Sequence, residues 1–136
     1  MWNPADIEAR SRVLAVLVID MAGFSALMEH SVSEALKAVQ RQREVAGPII
    51  AAHGGELVKA DADNLFAVFP DVASAQRAAL AITRAVPCGA GIGFGPVLLA
   101  DGDLWGVEVN RASKLGEDVS DAGEVLLTEA AREQQG

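Results

Sequence analysis

The sequence predicts an α+β fold: a ferredoxin-like β-α-β-β-α-β core with additions at its C-terminal end. Three observations carry this. There is an unbroken apolar, branched run, "RVLAVLVID", and a strand-turn-strand pair in "ELVKADADNLFAVF". Two long stretches with apolar residues at helical spacing flank that pair. The order of these elements along the chain is that of the split βαβ motif.

Residues 1–12, "MWNPADIEARSR", are polar and read as a lead-in or a connection to something upstream. Residues 13–136 read as one domain. "RVLAVLVID" ends at Asp20, and a continuous apolar run of this length is what a strand covered on both faces looks like, so it is the central strand. In the following stretch Leu36, Val39, Val45, Ile49 and Ile50 fall at helical spacing, and Gly54-Gly55 stops the pattern. This predicts one helix with a break near His30, in which Pro48 is a kink or the start of a new turn. "DVASAQRAALAITRAV" opens with Asp71 as its N-cap and is the second long helix. "CGAGIGFGPVLLADGDLWG" predicts a strand, a Gly-rich turn and a strand; "EVNRASKLGEDV" is a short helix and "GEVLLT" a last strand before a polar tail.

At 136 residues, 51% of them apolar, the chain suffices for one domain with a real core. A formal charge of -8 argues against a nucleic-acid or anionic-membrane surface, since either needs a basic face. A phosphate-bearing small ligand fits only if metal ions or a few local cations offset the acidic field. Cys88 has no second cysteine to pair with, and no leader pattern opens the chain, which predicts a cytoplasmic protein. The longest apolar run, "VLAVLVI", is too short to span a bilayer.

Two acids then need an account. Asp20 closes the first strand and Asp63 sits at the turn of the hairpin. The first strand of such a core commonly lies beside the hairpin, so both carboxylates converge at one edge of the sheet. Paired carboxylates on rigid elements are hard oxygen ligands of the kind that two magnesium ions on a triphosphate require. For Asp63 alone the simpler reading is an ordinary turn acid, and Asp61 is kept as one.

Four blocks in order, "VLVIDMAGFS", "HGGELVKADADNLFAVF", "GIGFGPV" and "DLWGVEVNRASKLGEDVSDAGEVLLT", resemble the class III adenylate/guanylate cyclase catalytic domain over nearly the whole chain after residue 12. The resemblance implies that Asp20 and Asp63 hold two Mg2+ or Mn2+ ions. It implies that Gly23 and Phe24 belong to the substrate site, and that Lys59 and Asp103 read the purine in the combination that selects ATP. Asn110 then orients the ribose, and Lys114 occupies the transition-state arginine position. The implied reaction makes 3',5'-cyclic AMP and pyrophosphate at a site across a head-to-tail homodimer, in which Asp20 and Asp63 act with Lys59, Asp103, Asn110 and Lys114 of the other chain. An upstream regulatory domain or partner is a further expectation.

The pattern has departures. Lys114 stands for an arginine, Gly89 stands where many members carry a phosphate-binding arginine, and Ala62 stands for the glycine before the second metal aspartate. The connection from "GPV" to "DLWG" is short, and the chain ends before the segment that supplies a further lysine. On Lys114, Gly89, the short connection and the early C-terminus rests the alternative of a cyclase-homology module that binds nucleotide or a partner without useful turnover, with the enzyme the favoured reading. A purely structural adaptor ranks last. His30 and His53 lack ligand-spaced partners and read as surface or loop residues. Phe24, Phe66 and Phe69 read as core, Trp105 as core or dimer packing, and Cys88 as a small apolar filler. "GIGFG" is no dinucleotide fingerprint, because a strand instead of a helix follows it.

Overall fold

A computed structural model describes residues 3–135. Strand β1 (Ser11–Met21) lies between β3 (Asn64–Phe69) and β4 (Cys88–Ala100). The sheet order is β2 (Glu56–Asp61), β3, β1, β4, β5 (Asp103–Trp105), and β6 (Val125–Leu127) runs parallel to the first part of β4. The expected ferredoxin-like core is therefore present. Central placement explains the apolar run of β1: every residue from Leu14 to Ile19 is buried.

Each face of the sheet carries its own core. Ala15, Leu17, Ile19, Leu65 and Ile92 pack under α3 (Val32–Ala52), α4 (Val72–Ala85) and α6 (Glu129–Gln135). Leu14, Val16, Val18, Phe66 and Val97 pack under α5 (Val107–Lys114), which continues into a π-helical turn at Leu115–Val119. The long helices start at side-chain caps. Ser31 Oγ accepts from Glu34 N and Asp71 Oδ1 from Ser74 N, at 3.2 and 2.7 Å.

Several expectations are corrected. The lead-in contains a helix, α1 (Pro4–Arg10), started by Asn3 as cap and Pro4 at its first position, and β1 begins at Ser11. The single broken helix is two, α2 (Phe24–His30) and α3, because Ser31 is extended and caps the second; α3 then runs through Pro48. Its buried stripe is Ala35, Val39, Gln42, Ala46 and Ile50, which leaves Leu36, one residue round the helix, 57% exposed. The tail after β6 is helical and buries Ala131. Trp105 is 54% exposed, so it is no core residue, and Phe24 is half-buried. Phe66, Phe69 and Cys88 are buried as expected.

The Gly-rich segment is the most instructive correction. β4 runs unbroken through it, and the turn comes later, at Asp101 (φ 58) and Gly102 (φ 69). Gly89, Gly91, Gly93 and Gly95 all face the α5 layer, since alternate residues share a face. A Cβ on Gly91 would lie 2.2 Å from Ala112 O, and one on Gly93 2.6 Å from Glu108 O. The glycines are there so that the backbone of α5 can lie on the strand.

Gly91→Ala should therefore cost about 2–3 kcal/mol of unfolding free energy, because both nearest atoms are backbone and cannot swing aside. Urea denaturation reads this directly, with Leu36→Ala expected within about 0.5 kcal/mol of the parent. Equal stability of the Gly91 variant and the parent would refute the close-approach account.

Candidate active site

Asp20 pairs in register with Asn64 on one side and Gly89 on the other, so it sits where three strands meet at one end of the sheet. It shares the face of Val16 and Val18, the α5 face. Asp63 lies in the turn that joins Asp61 to Asn64, immediately beside it. Burial, then a hydrogen bond and the negative charge of Asp63, then the charges of Glu117 and Asp118, push the Asp20 carboxyl up to about 7. A carboxylate whose ionised form is disfavoured by burial and an acidic neighbour is one that a cation would stabilise.

The residues fit a hard divalent ion. The donors are carboxylate oxygens, and among the described residues the pair makes no ion pair with a basic side chain and no group of three or more His, Cys, Asp or Glu is placed to hold a metal unaided. Such an ion would take two carboxylates from the protein and the rest of its octahedron from water and phosphate, which is how Mg2+ is usually held. The turn is tight. Ala62 adopts φ 52, the left-handed region in which a glycine would be unstrained.

Lys59 and Asp103 meet. Lys59 Nζ lies 3.0 Å from Asp103 Oδ1, with the two side chains 29% and 33% exposed. Lys59 also lies over the Phe66 ring at 4.6 Å. The Leu104 N–H donates to Asp103, and that bond with the Lys59 interaction holds the Asp103 carboxyl below its usual range. Despite the short connection, Asp103 is the first residue of β5, paired with Ala100.

On α5 the residues Glu108, Val109 and Ala112 face the sheet, while Asn110 and Lys114, one turn apart, are exposed on a common side. Gly23 (φ 72) and Phe24 begin α2 just after β1 leaves Asp20. The candidate residues thus form three groups, namely Asp20 with Asp63, Lys59 with Asp103, and Asn110 with Lys114. Among the described residues no ion pair joins one group to another. The surface is open. A groove of about 690 Å3 along β4, bordered by Phe94, Leu98, Trp105 and Arg111, contains none of these residues.

Sequence reading missed Glu108. It is buried, and its carboxylate accepts from Phe94 N at 3.1 Å, Thr128 Oγ1 at 2.6 Å and Arg111 Nη1 at 3.0 Å. Burial pushes its carboxyl up, and these three donors outweigh that and bring it below its usual range. It fills the part of the β4 edge that neither β5 nor β6 covers, and so fixes α5. An acid between Val107 and Val109, three residues before Arg111, was the signal available. Glu117 was also missed; it accepts from Asn64 Nδ2 at 2.5 Å and from Ser113 Oγ, beside Asp20. At Gly89 a Cβ would lie 2.2 Å from Ser120 Oγ, so Ser120 closes the place of the expected arginine. Burial pushes the Cys88 thiol up to about 12, in keeping with an inert filler.

No family model matches the chain. An adenylate cyclase of Streptomyces coelicolor is 32% identical over 118 residues, which is 81% of this chain and 31% of that protein. A provisionally assigned adenylate cyclase 3 of Rhizobium meliloti is 28% identical over 138 residues, 91% of this chain and 23% of that protein. The chain thus spans less than a third of the length of these curated relatives. The crystal structure of an adenylate/guanylate cyclase/hydrolase from Silicibacter pomeroyi superposes with a TM-score of 0.81 at 32% identity, covering 90% of this chain and 79% of that one. With that identity over most of both chains and the same fold beneath it, the chain belongs to the class III adenylate/guanylate cyclase catalytic-domain family.

Proposed function

We propose that the protein is a nucleotidyl cyclase that converts ATP to 3',5'-cyclic AMP and pyrophosphate in the cytoplasm, at a site shared by two copies of the chain. The observation that carries this is the convergence of Asp20 and Asp63, with the Asp20 carboxyl raised by burial and by its neighbour. The adenylate cyclase names of the curated relatives support ATP as substrate. An open site whose three groups make no mutual ion pair is what a site completed by a second protomer requires.

The chain's own residues divide the work. Asp20 and Asp63 would hold Mg2+ or Mn2+, which when bound supplies the positive charge that stabilises the attacking and leaving oxygens. Lys59 donates to adenine N1 and Asp103 accepts from the amino group, their present ion pair opening to admit the base. Asn110 orients the ribose, whose 3'-oxygen attacks the α-phosphorus. The bond to the β-phosphate bridging oxygen breaks, pyrophosphate departs and the 3'-proton passes to water. Lys114 presents a point charge to the phosphate oxygens, where an arginine would offer a planar fork. Gly23 and Phe24, which open α2 just after β1, would contribute backbone and ring to the substrate site.

A second reading has its own observation. Ser120 stands over Gly89 where an arginine would reach the phosphates, so a nucleotide-binding or regulatory module without useful turnover is the alternative.

Cyclic AMP should form from Mn-ATP at high protein concentration, with little cyclic GMP from Mn-GTP, and Asp63→Ala should lower the rate by at least about a hundredfold. Absence of product together with absence of nucleotide binding selects the module. Lys114→Arg should raise kcat severalfold with little change in KM, and an unchanged kcat would mean that this face of α5 does not meet the phosphates.

A further inference from the structure

Both carboxylates are tied to one helical unit. β1 passes from Asp20 through Met21 into α2, and α3 returns across the sheet to reach the hairpin turn that carries Asp63. There two consecutive residues of α3 grip two consecutive carbonyls. Arg43 Nη2 donates to Ala62 O at 2.9 Å, and Gln42 Nε2 donates to Asp63 O at 2.8 Å. These carbonyls belong to the peptide planes on either side of the Asp63 Cα. Fixing both planes fixes the direction of the Cα–Cβ bond, and leaves the carboxylate only its own side-chain torsions.

We propose that Gln42, assisted by Arg43, is a positioning residue for Asp63, setting the geometry in which the carboxylate pair takes a divalent cation. The proposal rests on the reading that Asp20 and Asp63 hold such ions. Gln42 is 1% exposed, in the middle of the buried stripe of α3, and its Oε1 has no hydrogen-bond partner among the described residues. An aliphatic side chain of similar size would fill that place without burying an unsatisfied oxygen. The amide is therefore accounted for by its N–H, whose one acceptor among the described residues is the backbone of Asp63. The turn has need of a clamp, because Ala62 is held at φ 52, a conformation an alanine leaves readily when nothing retains it.

The test reads metal binding without catalysis. The melting temperature of the protein is followed against Mn2+ concentration for the parent, Gln42→Leu, Arg43→Ala, Arg43→Lys and Asp63→Asn. The parent should be stabilised by Mn2+ and Asp63→Asn should not respond. Gln42→Leu should melt near the parent without metal, yet need roughly tenfold more Mn2+ for half-maximal stabilisation, the scale of losing an outer-shell partner. Arg43→Ala, at an exposed site where folding is not at stake, should show a smaller shift in the same direction, restored by Arg43→Lys. A buried residue that only supports the fold would lower the metal-free melting temperature and leave the Mn2+ midpoint alone, and that result overturns the proposal. If Gln42→Leu does not fold, an unshifted Arg43→Ala midpoint overturns it equally. A parent that does not respond to Mn2+ removes the metal reading and this inference together, whereas a parent response that both variants retain removes the inference alone.

Discussion

The close seat of α5 on β4 is the constraint on which the rest of the structure depends. Glycines at alternate positions of β4 present a floor without side chains, and the backbone of α5 and of the π-helical turn comes down onto it. Glu108 then locks the helix by accepting from Phe94 on the strand and from Thr128 at the start of α6. With the helix fixed at this depth, Asn110 and Lys114 stand out from the α5 layer, on the face of the sheet to which Asp20 and Lys59 also belong. A side chain on that floor would lift the helix and displace Asn110 and Lys114 with it.

Charge is the second organising feature. Asp20 is surrounded by Asp63, Glu117 and Asp118, all of which disfavour its ionised form, while Lys59 is committed to Asp103 and Arg111 to Glu108. In a chain of formal charge -8 these acidic surroundings at the end of β1 would suit a divalent cation, as the proposed function requires. Ser120 lies over Gly89, and β4 brings no arginine to this end of the sheet.

The core of the fold was legible because its signals are local. The run through Leu14–Ile19 reads as a strand buried on both faces and is one, and the Asp-rich turn of the hairpin falls where the alternation breaks. α1 buries no residue and α6 only Ala131, so neither offers a periodic stripe to read. In the sequence the glycines of β4 read as a turn, because the same residue marks a sharp bend and a close approach, and only the position of α5 distinguishes the two. Asp20, Asp63, Lys59 and Asp103 are candidates through their blocks, and the structure brings them together in pairs. Glu108 and Gln42 escaped notice because what gives them meaning, the N–H of Phe94 and the carbonyl of Asp63, is supplied by elements distant in the chain.

The central claim is that each site draws the carboxylate pair from one protomer and the α5 side chains from another. It is tested most directly by mixing Asp20→Ala protein with Asn110→Ala protein and measuring cyclic AMP formation from Mn-ATP. Each variant alone carries the same defect in both of its sites, whereas a mixed dimer carries both defects in one site and none in the other. The account predicts that the mixture regains turnover well above the sum of its components. A mixture as inactive as its components, beside an active parent protein, would contradict it and place the whole site within one chain.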